Sequence, residues 1–195
     1  GFYGHRLNLY RATIPHVGFQ SLLTLAERVP LGMRHFTSNV DGQFQRSGFS
    51  DHQVTECHGS IHHLQCMNQC GQAVWSAKDF HPEVDERACT LLSDLPNCPT
   101  CGGLARPNIL MFGDWDFEGD RYARSQDYLL TWAARSERLV VLEIGAGTAI
   151  PSARRFGASL AESQQGVLVR INPGEPLVAR PQDISISLGA AAVLT

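Results

Sequence analysis

Leu139-Val140-Val141-Leu142-Glu143-Ile144-Gly145-Ala146-Gly147-Thr148 is the stretch on which the reading of the fold turns. A dense run of Leu, Val and Ile is the composition of a strand covered on both faces. The Gly-x-Gly behind it permits a tight turn whose freed backbone N–H groups can hold phosphate oxygens. Ordinary α/β turns produce the same tripeptide, so its neighbours must give it meaning. Downstream, Pro151 opens a helix, Val167 to Ile171 reads as a further strand, and Asn172 follows it at a strand end. Ile184 to Leu188 is a short strand before an alanine-rich end. Strands alternating with helices predict an α/β fold with a doubly wound parallel sheet.

Upstream, Arg121 to about Ser136 predicts a helix that buries Tyr122, Leu129, Trp132 and Ala133. His16 to Val29 predicts another, with Phe19, Leu22, Leu23, Ala26 and Val29 on its buried face and Pro30-Leu31-Gly32 at its end. Met33 to Phe36 then leads into Thr37-Ser38-Asn39-Val40-Asp41-Gly42. Polar side chains gathered at a strand end sit where open α/β sheets contact ligands, although an ordinary polar turn has the same composition. In Glu56-Cys57-His58-Gly59-Ser60 an imidazole stands beside a glycine, a pattern that also suits a structural histidine or a spare metal ligand.

All six cysteines, at 57, 66, 70, 89, 98 and 101, fall in the middle of the chain. That is too local to staple a secreted fold, and a metal site explains the clustering better than disulfides. Cys98-Pro99-Thr100-Cys101-Gly102-Gly103 has a knuckle's two-residue gap, and Cys66-Met67-Asn68-Gln69-Cys70 supplies a second pair. Four-sulfur coordination leaves no open position for water, so Zn2+ at Cys66, Cys70, Cys98 and Cys101 is expected to be structural. Cys89 is a possible substitute ligand, and clustered free thiols are the alternative. The expected organisation is three-part: residues 1–58 and 107–195 form the α/β domain around a small zinc-binding insert at 59–106, where little regular periodicity is visible.

Sixteen Lys+Arg against nineteen Asp+Glu give a net charge of -3, with Lys78 the only lysine. No basic cluster reads as a phosphate-backbone track, which argues against nucleic acid as the main ligand. No apolar run reaches the roughly 18 residues of a membrane span, and the N-terminus lacks the order of a secretion signal, so a cytoplasmic location is expected.

Taken in order, Thr37-Ser38-Asn39-Val40-Asp41-Gly42, Glu56-Cys57-His58-Gly59-Ser60, the two cysteine pairs, Arg106-Pro107-Asn108-Ile109-Leu110-Met111-Phe112-Gly113-Asp114, Gly145-Ala146-Gly147-Thr148 and Ile171-Asn172 resemble the sirtuins, the NAD-dependent protein deacylases. The resemblance covers almost the whole chain. It implies a Rossmann-like domain, NAD as cofactor and an acylated-lysine protein or peptide as partner. It also implies that His58 is the catalytic base toward a hydroxyl of the nicotinamide ribose. Ser38, Asn39 and Asp41 would then line the nicotinamide and ribose pocket. Gly145, Gly147 and Thr148 would form the phosphate and ribose site, Asn172 would meet the adenosine ribose, and Met111, Phe112 and Gly113 would hold the substrate peptide. Tyr3 and Arg6 resemble the Tyr-x-x-Arg pattern of members that accept succinyl- or malonyl-lysine; acetyl-lysine fits the family as well.

The sequence also departs from the family pattern. Ser38 stands where glutamine is usual, Phe19 replaces a common histidine, and Asp114-Trp115 replaces the usual Glu and following Leu-Pro. These changes keep two alternatives open: an ADP-ribosyltransferase or NAD hydrolase on the same scaffold, and a catalytically silent NAD- or ADP-ribose-binding module. The Gly-Ala-Gly-rich first strand with which the family begins is missing from the sequence, giving the expectation that Gly1 is not the biological start.

Overall fold

The computed structural model describes residues 1–195. In chain order the elements are α1 (Phe2–Ala12), α2 (Gly18–Ala26), β1 (His35–Thr37), α3 (Gln43–Arg46), a 3-10 turn (Asp51–Gln53), β2 (Val54–Glu56), β3 (Gly59–Cys66), β4 (Trp75–Ser76), β5 (Val84–Asp85), β6 (Thr90–Leu91), β7 (Ala105–Ile109), α4 (Asp120–Ala133), β8 (Val140–Ile144), α5 (Ser152–Ser163), β9 (Val167–Ile171), β10 (Ile184–Ile186) and α6 (Ala190–Leu194). They form two compact units. One comprises Gly1–Pro15, Thr37–Arg46 and Glu56–Ser125, and the other His16–Phe36, Ser47–Thr55 and Gln126–Thr195.

The second unit contains the expected parallel sheet, in the order β10-β9-β8. Val140 pairs with Val167, Glu143 with Arg170 and Ile144 with Ile171, while Ile184 pairs with Val169. Parallel strands cannot be joined by a tight hairpin, and α5 supplies the crossover while packing on β8 and β9. Leu129, Ala133, Leu139 and Leu160 form the core, against which Phe36, Trp132, Val141 and Phe156 pack. The Phe36 and Phe156 rings stack with centroids 3.8 Å apart and planes 7° apart. Burying each large apolar side chain of this kind contributes about 1.5–3 kcal/mol. Helix α2 buries Gly18 and Leu22 but ends at Ala26. Val29, expected on its buried face, is 37% exposed. Pro30 follows, and Gly32 takes φ +64, so the chain turns away before another helical turn can form.

The first unit is built on an antiparallel sheet in the order β4-β3-β7. The stretch from Gly59, expected to show little regular structure, opens with the eight-residue strand β3. Its pairing with β7 is interrupted. Gly59 and Ser60 lie opposite Ile109 and Asn108, and pairing resumes only at Leu64 opposite Pro107. Proline has no N–H to give to a ladder, and a bulge at that position removes the need for one. Leu7, Ile61 and Ile109 form the core beneath α1, with Tyr3, Tyr10, Val40 and Phe80 around them. Leu64, Ala77 and Ala105 form a smaller cluster with Trp75. The rest of the cysteine-rich stretch has short elements, the β5–β6 pair and a bridge between Asn97 and Leu104. No helix is long and apolar enough to cross a membrane.

Candidate active site

His58 is half-buried immediately before β3. Its carbonyl accepts a hydrogen bond from Leu110 N at 2.9 Å, which ties it to the residue following β7. Gly59 has φ +75, and a Cβ there would lie 2.0 Å from Asn108 O. Only glycine allows both the left-handed backbone and that approach, so the His-Gly pair is a steric requirement of the β3–β7 contact. On the other side of His58, Glu56 is buried and accepts from Arg121 Nη2 at 2.6 Å. Burial pushes the Cys57 thiol up to about 11, which leaves a neutral side chain beside the imidazole rather than a thiolate nucleophile.

The Thr37–Gly42 segment lies in the same unit. Cys57 N donates to Thr37 O at 2.9 Å and Ile61 N to Val40 O at 3.0 Å, so this segment runs beside the chain that carries His58. Asn39 N donates to Thr37 Oγ1 at 3.1 Å and leaves the Asn39 side chain exposed, while Ser38 and Asp41 are half-buried. Asp41 Oδ1 accepts from Gln43 N at 3.0 Å, a short-range cap that directs the carboxylate at the start of α3.

Met111 and Phe112 are 42% and 93% exposed, and Gly113 turns the chain at φ +67. Asp114 closes this turn, with Arg106 Nη2 2.8 Å from Oδ1 and Met111 N 3.4 Å from Oδ2. Burial pushes the Asp114 carboxyl upward, but the hydrogen bond and charge of Arg106 outweigh it and hold the group below the usual carboxylate range. Tyr3 and Arg6 are both half-buried on α1, yet they take different neighbours. Tyr3 packs against the Leu7, Ile61 and Ile109 cluster, whereas the Arg6 guanidinium lies over the Phe2 ring, 5.5 Å from its centroid.

In the other unit, Gly145 (φ +67) and Gly147 have no atom near a would-be Cβ, so the turn after β8 presents open backbone. Gly145 N donates to Ile171 O at 3.0 Å, bringing this turn beside Asn172. Asn172 is buried; its Nδ2 donates to Ala146 O at 3.1 Å and its Oδ1 accepts from Gly174 N and Glu175 N at 3.0 and 2.9 Å. The side chain therefore organises two loops. Thr148 Oγ1 donates to Glu175 Oε1 at 2.6 Å, and Arg154 Nη2 donates to Ala146 O at 3.1 Å and Glu175 O at 2.7 Å.

Cys66, Cys70, Cys98 and Cys101 place their sulfurs within 4.8 Å of one another. The Cys66–Cys101 and Cys70–Cys98 sulfur separations are both 3.6 Å. Four sulfurs at the usual zinc–sulfur distance of about 2.3 Å in a tetrahedron stand about 3.8 Å apart, so the geometry fits a metal ion. Burial raises the Cys66 thiol, but the N–H groups of Cys70 and Asn68 and the adjoining thiols bring it down to about 6. At Cys70 the Gln72 N–H lowers the thiol, while burial and the neighbouring Cys66, Cys98 and Cys101 sulfurs push it up to about 12. One thiolate forms readily and a second is opposed, a conflict that a bound dication relieves. Cys89 lies outside the cluster, exposed and at φ +52, so it does not replace any of the four.

The supporting contacts of several side chains are visible only in the fold. Gln65 and Asn108 are buried; Asn108 Nδ2 donates to Gln65 Oε1 at 2.9 Å and to Glu118 O at 3.0 Å, and Gln65 Nε2 donates to Asp116 O at 2.7 Å. They hold the loop after Asp114. Glu143, within an otherwise apolar strand, accepts a bidentate pair from Arg170 at 2.6 and 3.0 Å. Polar residues inside strand-like runs were the available signal for Gln65, Asn108 and Glu143. Glu56 and Arg121 gave none, because their partnership is long-range.

Residues 1–128 match the family model described as the Sir2 family. The chain is 29% identical over 196 residues to an NAD-dependent protein deacylase of Desulfosudis oleivorans, covering 96% of this chain and 67% of that protein. It is 28% identical over 197 residues to NAD-dependent protein deacylase 1 of Pseudomonas aeruginosa, covering 100% of this chain and 72% of that protein. A solved Sir2 homologue in complex with ADP-ribose superposes with a TM-score of 0.70 at 23% identity, over 99% of this chain and 69% of the other. The last comparison extends the agreement in fold beyond residue 128. The ordered motifs, the cysteine cluster and the family match lead to one assignment: this chain belongs to the Sir2 family.

Proposed function

We propose that the chain is an NAD-dependent protein lysine deacylase that removes the acyl group from a lysine side chain of a protein or peptide. The observation that carries this reading is the hydrogen bond from Leu110 N to His58 O, 2.9 Å long. It joins the backbone of the imidazole-bearing residue to the start of an exposed apolar segment, Leu110-Met111-Phe112, which is suited to pairing with an extended peptide. Base and peptide platform are thus parts of one local structure.

NAD supplies an activated ribose carbon with nicotinamide as leaving group. His58 takes the proton from a ribose hydroxyl, a task for which imidazole is suited near neutral pH. Asn39 and Asp41 orient the nicotinamide end, with Ser38 offering a shorter hydrogen-bonding arm than glutamine would. Gly145, Gly147 and Thr148 bind through open backbone and a hydroxyl, and Asn172 shapes the adenosine-ribose end. Positioning of this kind provides much of the rate in such a reaction. Zinc at Cys66, Cys70, Cys98 and Cys101 holds the cysteine-rich module together and takes no part in the chemistry.

The acyl group is proposed to include succinyl or malonyl as well as acetyl. Arg6 makes no ion pair within the chain, which leaves its guanidinium available to a distal carboxylate, with Tyr3 three residues earlier on the same helix. The deciding experiment is mass spectrometry of the products formed from NAD and a panel of acyl-lysine peptides. Nicotinamide, deacylated peptide and acylated ADP-ribose should appear together, and His58→Ala should abolish them while retaining NAD binding. Nicotinamide release without peptide would refute the deacylase reading, as would transfer of label from NAD to protein. Arg6→Ala should lower succinyl-peptide turnover relative to acetyl-peptide turnover.

A further inference from the structure

We propose that His62 is a positioning residue that sets the Asn39–Gly42 segment for the nicotinamide end of NAD, an inference that rests on the NAD-dependent reading above. The local structure makes His62 available for this task. Between Ser60 and Leu64 the β3–β7 register shifts, so Ile61, His62 and His63 are not paired with β7. The bulge sits opposite Pro107, where β7 has no N–H to offer. The released backbone bonds elsewhere: Ile61 N donates to Val40 O at 3.0 Å and His62 O accepts from Ala77 N at 2.8 Å.

The His62 side chain then reaches the segment that carries Asn39 and Asp41. Its Nε2 lies 2.9 Å from Asp41 O. A carbonyl oxygen only accepts, so Nε2 is the donor; the neutral Nε2–H tautomer and the imidazolium both satisfy the contact. The ring also covers Gly42. A Cβ at that position would come within 2.6 Å of His62 Cδ2 and 2.8 Å of Nε2, and Gly42 has φ +68. Gly42 therefore makes room for the imidazole while turning the chain toward α3.

This contact fixes the Asp41 main chain, while the cap from Gln43 N fixes its carboxylate at 3.0 Å. The two restraints act on different atoms of one residue. Without His62, Asp41 would keep its side-chain cap but lose the hydrogen bond that locates its peptide plane, and the segment from Asn39 would rest only on the bonds from Asn39 N to Thr37 Oγ1 and from Ile61 N to Val40 O. Asn172 and Thr148 have their own hydrogen-bonded supports and do not depend on His62.

The test compares wild type, His62→Phe and His62→Gln as full chains by titration calorimetry with NAD and, separately, with ADP-ribose, which lacks nicotinamide. Loss of one partly buried hydrogen bond should weaken NAD binding by His62→Phe roughly five- to tenfold, while ADP-ribose binding stays within about twofold of wild type. Glutamine can present an amide N–H to the same carbonyl, so His62→Gln should bind NAD within about twofold of wild type. The proposal is overturned if His62→Phe binds NAD like wild type, if both ligands weaken together, or if His62→Gln is impaired as much as His62→Phe. Nicotinamide release by the wild type is measured in parallel. NAD binding without peptide-dependent release would sink the deacylase reading while the calorimetry still decides the role of His62, and absence of NAD binding would sink both.

Discussion

The hydroxyl of Thr148 donates to the Glu175 carboxylate at 2.6 Å, so the turn after β8 is closed by a residue that follows β9. Arg154 reinforces the closure by donating to Ala146 O and Glu175 O, with its guanidinium 3.7 Å from the Glu175 carboxylate. Removing the hydroxyl while keeping the side-chain shape isolates this link. Thr148→Val is expected to weaken NAD binding roughly fivefold, the equivalent of about 1 kcal/mol for one hydrogen bond, as read by calorimetry. Unchanged affinity would show that neither the hydroxyl nor the closure it makes contributes to the cofactor site.

A second expectation concerns acid. His35 is buried in β1 with its ring 4.2 Å from that of Phe49, and burial, aided by the charge of Arg34, lowers its pKa to about 4. The folded chain therefore holds His35 neutral at pH values where the unfolded chain already protonates it. The resulting stability is complete above about pH 6.5 and is lost as the pH falls toward about 4, a change of roughly 3 kcal/mol if the side chain stays buried. Denaturant unfolding between pH 7 and 4.5 should show a smaller loss in His35→Leu than in wild type. Parallel pH dependences would disprove the assignment.

For the cysteine cluster, metal analysis of the purified chain should find about one zinc per molecule, as four-sulfur coordination requires. Cys98→Ser should abolish retention of the metal and lower the melting temperature, because apparent zinc-binding free energies in such small modules are on the order of 10 kcal/mol. Cys89→Ser should do neither, since Cys89 lies outside the cluster.

Asp114 provides a fourth test. Asp114→Asn keeps the shape but removes the charge facing Arg106, 2.8 Å away. The Met111–Gly113 turn should loosen, raising KM for the acyl-lysine peptide about tenfold with little change in NAD affinity. Since Arg106 depresses the Asp114 carboxyl, the stabilisation from this pair is present above the ordinary carboxylate pKa and fades as the pH falls through the lower folded value. An unchanged peptide KM would separate the ion pair from substrate binding.

The elements legible in the sequence are those whose pattern is local. β8 and β9 announced themselves by Val, Leu and Ile, and Pro151 marked the start of α5. Cysteine spacing identified the four sulfurs because knuckle geometry is itself a short-range property. β3 was obscured because Ser60 and Gln65 are polar yet buried, so alternation of polarity failed as a guide to its two faces. What makes these residues admissible inside is a partner far along the chain, as Asn108 is for Gln65. The extent of α2 was overestimated for a related reason: Val29 fitted the helical spacing, but the backbone had already turned toward Gly32. Among the candidate site residues, the His58-Gly59 pair is visible as a sequence pattern, whereas the restraints on Asn39 and Asp41 depend on a bulge that periodicity does not reveal.

That bulge also divides a strand with two obligations. His58 precedes the pairing of Gly59 with Ile109, and Cys66 ends the pairing that resumes at Leu64. In an unbroken ladder, a one-residue slip at the metal end would carry through the strand and reverse the facing of every side chain. Here the extra residues absorb such a slip. The imidazole end and the cysteine end of β3 consequently take their register from β7 separately.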